Sequence, residues 1–112
     1  MGGLDASGMR RGQVWWASAR PPDKSRPVVL VSRDEAYERR AFVVVTPVTT
    51  RVRGIRAEVA LGAAEGLSRS CVVNCDVLET VTKRMLVEPI GRLGPDKTVA
   101  LDEALKFALG LE

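Results

Sequence analysis

The 112-residue chain contains no histidine. This removes the side chain most often used to move protons near neutral pH, so any phosphoryl chemistry must rest on arginine, hydroxyl and carboxylate groups. Cysteine is scarce as well, with Cys71 and Cys75 the only two. Four residues apart on a strand, they would face the same side at least ~13 Å apart, beyond the reach of a disulfide. Two thiols without histidine also fall short of an ordinary zinc site. They read as core thiols in a reducing cytoplasm. No apolar stretch approaches the length of a membrane-spanning helix, so no membrane partner is expected. Residues 1 to 8 are glycine-rich with one acid and no basic segment. They do not resemble a secretory signal and read as a disordered extension, with Met9 an alternative start.

Hydrophobic residues make up 46% of the chain and charged residues 28%, which fits one globular domain spanning residues 9 to 112. The net charge of +3 is unevenly spread. Residues 10 to 56 carry eleven Arg/Lys against four Asp/Glu, net +7, whereas residues 57 to 112 carry six against nine, net −3; Asp5 completes the total. Ten of the eleven cations are arginine, whose rigid fork of donors suits phosphate. Such segregation points to a face for a polyanion.

Gln13 to Ala17 reads as a short strand in which Trp15 and Trp16 face opposite sides, so at most one is core. The other would stack on a base or fill a subunit seam. Residues 20 to 25 form a loop, because Pro21 and Pro22 forbid a central strand. Pro27 to Val31 and Ala41 to Val48 are continuous apolar strands, and Pro47 marks where ladder pairing must falter. Arg33 to Arg40 is a helical turn or loop. Arg56 to Leu61 alternates polar and apolar residues, as a strand with one wet face does. Ser70 to Val77 and Val87 to Leu93 read as further strands. Gly94-Pro95-Asp96 starts a helix whose apolar face holds Leu101, Ala104, Leu105, Ala108 and Leu109, with Gly110 as its stop. The expected architecture is mainly β: a compact barrel of five to seven strands capped by a C-terminal helix.

Several blocks of this chain, in order, resemble the MazF/PemK/Kid toxins of bacterial type II toxin–antitoxin pairs. Met9-Arg10-Arg11-Gly12-Gln13-Val14-Trp15 is similar to their opening motif. Ser25-Arg26-Pro27-Val28-Val29-Leu30 matches their arginine-proline strand, and Thr46-Pro47-Val48-Thr49-Thr50 their hydroxyl-bearing strand end. Gly66-Leu67-Ser68-Arg69-Ser70-Cys71, Asp76, Thr80-Val81, Lys83-Arg84-Met85-Leu86 and Leu109-Gly110-Leu111 follow in register. The resemblance covers residues 9 to 111. It implies an SH3-like barrel of the CcdB/PemK type, a homodimer, no cofactor, and metal-independent endoribonuclease activity on single-stranded RNA. It further implies 2′,3′-cyclic phosphate and 5′-hydroxyl ends, arrest of translation and growth, and a cognate MazE-like antitoxin with an acidic tail.

The resemblance assigns Arg26 a catalytic role, and a guanidinium suits charge stabilisation of a pentavalent phosphorane. It assigns Thr49 to the scissile phosphate; a strand-end threonine can equally bond its own backbone. Thr46 and Thr50 are fallback RNA contacts. Asp76 either joins the catalytic group, orienting the arginine or accepting a proton, or serves as a structural salt-bridge partner. Arg51, Arg53 and Arg56 form a basic stretch placed to hold an RNA backbone, or a solvated turn. Arg20 and Lys24 contact phosphates or are solvated loop charges.

Two positions depart from the family. Asn74 stands where one branch has an arginine, and the loop of residues 18 to 24 is shorter than usual, lacking the family's Glu-Gln pair or histidine. Two alternatives remain open from sequence: a CcdB-like gyrase poison and a non-catalytic SH3-like RNA-binding or regulatory module. The gyrase poisons act through a tryptophan-containing tail, whereas this chain ends Leu109-Gly110-Leu111-Glu112.

Overall fold

Both central apolar runs are buried on two faces, which is why they read as continuous rather than alternating. In the computed structural model, which describes residues 8 to 18 and 25 to 112, β1 is Gln13–Ala17, β2 Arg26–Leu30 and β3 Phe42–Thr49. Strand β1 pairs antiparallel with β2 (Trp15 with Val28, Ala17 with Arg26), and β2 with β3 (Val28 with Pro47, Leu30 with Val45). Along these strands Trp15, Val28, Leu30, Val43 and Val45 enter one core with Met9 and Tyr37. The alternate residues Val14, Val29 and Val48 enter a second core. Trp15 is therefore the core tryptophan, while Trp16 on the opposite face is 38% exposed.

Strand β3 changes partner along its other edge. Its first half pairs with β6, Glu79–Thr82, from Phe42 with Thr82 to Val45 with Glu79. Its last two residues pair with β5, Cys71–Asn74 (Val48 with Val73, Thr49 with Val72). Thr46 and Pro47 lie in the gap, so the proline that lacks an N–H falls where that edge demands none. The expected falter at Pro47 is this switch of partner. Strand β4, Glu58–Leu61, pairs with β5, and β7, Leu86–Arg92, with β1. The order is β4-β5-β3-β2-β1-β7 with β6 also on β3, giving a half-barrel sheet whose end strands, β4 and β7, are not paired with each other.

The turn α1, Ala36–Arg39, buries Tyr37 in the first core. The helix α2, Pro95–Ala108, buries Leu101 and Ala104 in the second core. It ends as the sequence predicts: Gly110 adopts φ +70°, Leu111 N–H donates to the Lys106 carbonyl at 2.7 Å, and Gly110 N–H to that of Phe107 at 3.2 Å. Cys71 and Cys75 are buried free thiols of this second core, in agreement with their reading as core thiols. Burial pushes the Cys75 thiol up to about 11, so it stays protonated at neutral pH. Among the described residues no helix is long and apolar enough to cross a membrane.

One strand departs from expectation. The predicted strand from Ser70 to Val77 ends at Asn74, and the chain turns back to form β6. Asn74 drives the turn: its side-chain oxygen accepts the Asp76 N–H at 3.0 Å and its carbonyl the Val77 N–H at 3.1 Å. Asn and Asp two residues apart are turn formers, a signal overridden by the apolar residues around them.

Candidate active site

Arg26 opens β2 and pairs with Ala17 rather than with β3, because β3 has begun to bend towards β5. Its side chain crosses the β3 face to reach β6. There Nη2 donates to Glu79 at 2.6 Å (Oε1) and 2.5 Å (Oε2). The two side chains are 50% and 35% exposed, so the pair is accessible from solvent. Among the described residues, Nε and Nη1 of Arg26 have no hydrogen-bond partner, which leaves two nitrogens of the guanidinium fork, with three N–H groups, for a ligand.

The last β2–β3 pair is Val28 with Pro47; the same register carried two residues further would set Arg26 opposite Thr49. By alternation along the strands, Arg26 lies on the side of Val28 and Thr49 on the side of Val45, the side of the first core. Glu79, opposite Val45, shares that face. Guanidinium and carboxylate thus meet across β3, the strand between them, and Thr49 ends that strand. Thr49 Oγ1 accepts the Arg51 N–H at 3.1 Å, which fixes the side chain and leaves its O–H as a donor.

Thr49 and exposed Thr50 also line a cleft of about 200 Å³ together with Trp16, Pro27, Ser68 and Arg69. Ser68 and Arg69 belong to a block that carries the family resemblance, yet the sequence alone gives them no role.

The other sequence candidates divide. Thr46 is fully buried, and its hydroxyl donates to the Asn74 carbonyl at 2.6 Å, closing the gap where β3 changes partner. The reading of Thr46 as an RNA contact is corrected accordingly: core packing, not exposure, determines its partner. Thr46→Val should keep the shape but lose this bond, costing about 1 kcal/mol in urea unfolding with little change in the surface site. Asp76 is exposed on the turn after β5 and forms no ion pair among the described residues, so it does not touch Arg26.

Arg51 and Arg53 are exposed just beyond Thr49, on a loop held by Glu58, whose carboxylate accepts the Arg53 and Gly54 N–H groups at 3.1 and 2.9 Å. Arg56 turns away instead, pairing with Glu112 at 2.6 Å and lying over the Phe107 ring at 4.2 Å. Arg20 and Lys24 lie outside the described residues. Glu79, the direct partner of Arg26, is absent from the sequence candidates, because the local pattern does not mark the strand that carries it. Among the described residues no group of three His, Cys, Asp or Glu is placed to hold a metal ion.

Fold and site together define a small basic half-barrel with an arginine–threonine face. Residues 10 to 109 match the model of the PemK-like, MazF-like toxins of type II toxin–antitoxin systems, and the chain belongs to that family. It is 38% identical to the probable endoribonuclease MazF5 of Mycobacterium tuberculosis, over 88% of this chain and 91% of that protein. It is likewise 38% identical to endoribonuclease MazF3 of the same organism, over 80% of this chain and 87% of the relative. Among solved structures, the M. tuberculosis toxin MazF-mt6 superposes with a TM-score of 0.82 at 35% identity, covering 89% of this chain and 98% of that one. A mycobacterial endoribonuclease in complex with its cognate antitoxin gives 0.83 at 32%, covering 93% and 97%.

Proposed function

We infer that this chain is the endoribonuclease toxin of a type II toxin–antitoxin pair, cutting single-stranded RNA without a metal ion. The observation that carries the chemistry is an exposed Arg26 held to Glu79 by one nitrogen, with two guanidinium nitrogens that have no partner among the described residues. In this reading the 2′-hydroxyl oxygen attacks the adjacent phosphorus in line. Arg26 neutralises the charge gathering on the phosphorane, and the Thr49 hydroxyl donates to a non-bridging oxygen. The products are a 2′,3′-cyclic phosphate and a 5′-hydroxyl. Thr50, Arg51 and Arg53 hold the flanking backbone, joined by Arg20 and Lys24, and Trp16 in the cleft offers a ring to a base. Arg56 is left to the helix.

By kinship the working unit is a homodimer in the cytoplasm, where the RNA is, and cleavage arrests translation and growth. The cognate antitoxin, MazE-like, would cover the basic face with an acidic segment. Kinship to endoribonucleases over nearly the whole chain favours this reading over a gyrase poison or a silent RNA-binding module.

The test is incubation of the purified protein with long RNA in excess EDTA, followed by mapping of 5′ ends. Discrete cuts with 5′-hydroxyl and cyclic phosphate ends are expected at an undiminished rate. Failure to cut any mRNA, tRNA or rRNA would sink the proposal, and cutting abolished by EDTA would overturn its metal independence.

A further inference from the structure

Cleavage through the 2′-hydroxyl needs a group that accepts its proton. Arginine stays protonated and a threonine hydroxyl is far too weak a base, so with histidine absent a carboxylate is the side chain best suited to accept it near neutral pH. Glu79 is the one carboxylate in contact with Arg26 among the described residues. We propose that Glu79 is the general base of this site, taking the 2′-hydroxyl proton while Arg26 holds the phosphate; this rests on the ribonuclease reading above.

Three observations carry the assignment. Both oxygens of Glu79 meet a single nitrogen, Nη2, so a phosphate bound by Nε and Nη1 would lie beside the carboxylate rather than displace it. A phosphate held there would set the 2′-hydroxyl of its own nucleotide on the side of Glu79. The glutamate is also held firmly, in register opposite Val45 on β6, yet its side chain remains open to substrate. Finally, a solvent-exposed ion pair of this kind contributes little to folding, typically below about 1 kcal/mol, so stability alone is a weak reason for it.

The step balances without any redox partner. The 2′-O–H bond breaks and its proton passes to a Glu79 oxygen as the 2′-oxygen bonds to phosphorus. The P–O5′ bond breaks, and the leaving oxygen keeps the electron pair and takes a proton from water. Glu79 then returns its proton to solvent.

The discriminating experiment measures kcat, KM and the pH profile of cleavage of one RNA by the parent, Glu79→Gln and Glu79→Ala. Glu103→Gln, on the exposed side of α2, serves as the control that keeps parental rates. The amide can still accept from Nη2 but takes no proton. Glu79→Gln should lower kcat about 10²-fold with KM nearly unchanged, and the acid limb of its kcat/KM profile should vanish. Added formate should restore cleavage by Glu79→Ala at least about tenfold, a rescue that a structural role would not give. The proposal is overturned if Glu79→Gln keeps its kcat and acid limb, if formate restores nothing, or if KM falls at constant kcat, which would make Glu79 a mere shield for Arg26. Loss of the acid limb in Asp76→Asn instead would transfer the role to Asp76. A parent protein that cuts no RNA would defeat the ribonuclease reading itself, whereas a parent that cuts beside an unchanged Glu79→Gln defeats only the assignment of the base.

Discussion

Arg26→Ala is expected to lower kcat for RNA cleavage by about 10³-fold, with the unfolding midpoint nearly unchanged. The asymmetry follows from where the side chain sits. It is half exposed, and its one side-chain polar contact among the described residues is the ion pair to Glu79, so its removal takes little from the core. In the transition state, by contrast, it would neutralise the charge gathering on the phosphorane. Arg26→Lys separates charge from shape. An ammonium restores the positive charge but not the planar fork, so recovery should remain partial, roughly tenfold above the alanine variant. Single-turnover rates on a defined RNA, alongside urea unfolding of each variant, check both halves. Full activity in Arg26→Ala would remove the arginine from the chemistry.

Trp15→Ala should produce the largest loss of stability, about 3–5 kcal/mol in urea unfolding, enough to leave a domain of this size barely folded. Trp15 is 1% exposed and fills the core between β1, β2 and Tyr37. Its indole N–H donates to Gln13 Oε1 at 2.8 Å, and the same oxygen accepts the Arg10 N–H at 2.9 Å. Truncation therefore opens a cavity and also frees a hydrogen-bonded hub that ties the N-terminal segment to β1. Trp16→Ala, on the exposed face, should cost far less stability and instead weaken RNA binding if the cleft stacks a base. Comparable midpoints for the two variants would contradict the assignment of Trp15 to the core.

Much of the framework was legible because it depends on local patterns. The continuous apolar runs of β2 and β3, the alternation from Arg56 to Leu61, and the Pro95 start and Gly110 stop of the last helix are all set by neighbours in the chain. Pro47 was informative for the same reason, since a missing N–H constrains the ladder wherever the strand lies. The strand carrying Glu79 was missed because Asn74, Cys75 and Asp76 sit among valines, and the reversal depends on hydrogen bonds that only a turn reveals.

The site divides along the same line. By itself the sequence determined which chemistry is open to this protein: without histidine, acting on RNA means arginine, hydroxyl and carboxylate. It also placed Arg26 and Thr49 at the ends of their strands, where side chains leave the core. Only the tertiary structure decided which groups meet. It buried Thr46 behind Asn74, drew Arg56 to Glu112, left Asp76 out on a turn and set Glu79 against Arg26, 53 residues away. Strand endings are written in local sequence, whereas register and partner are fixed by the bend of the whole sheet, where non-local packing outweighs local preference.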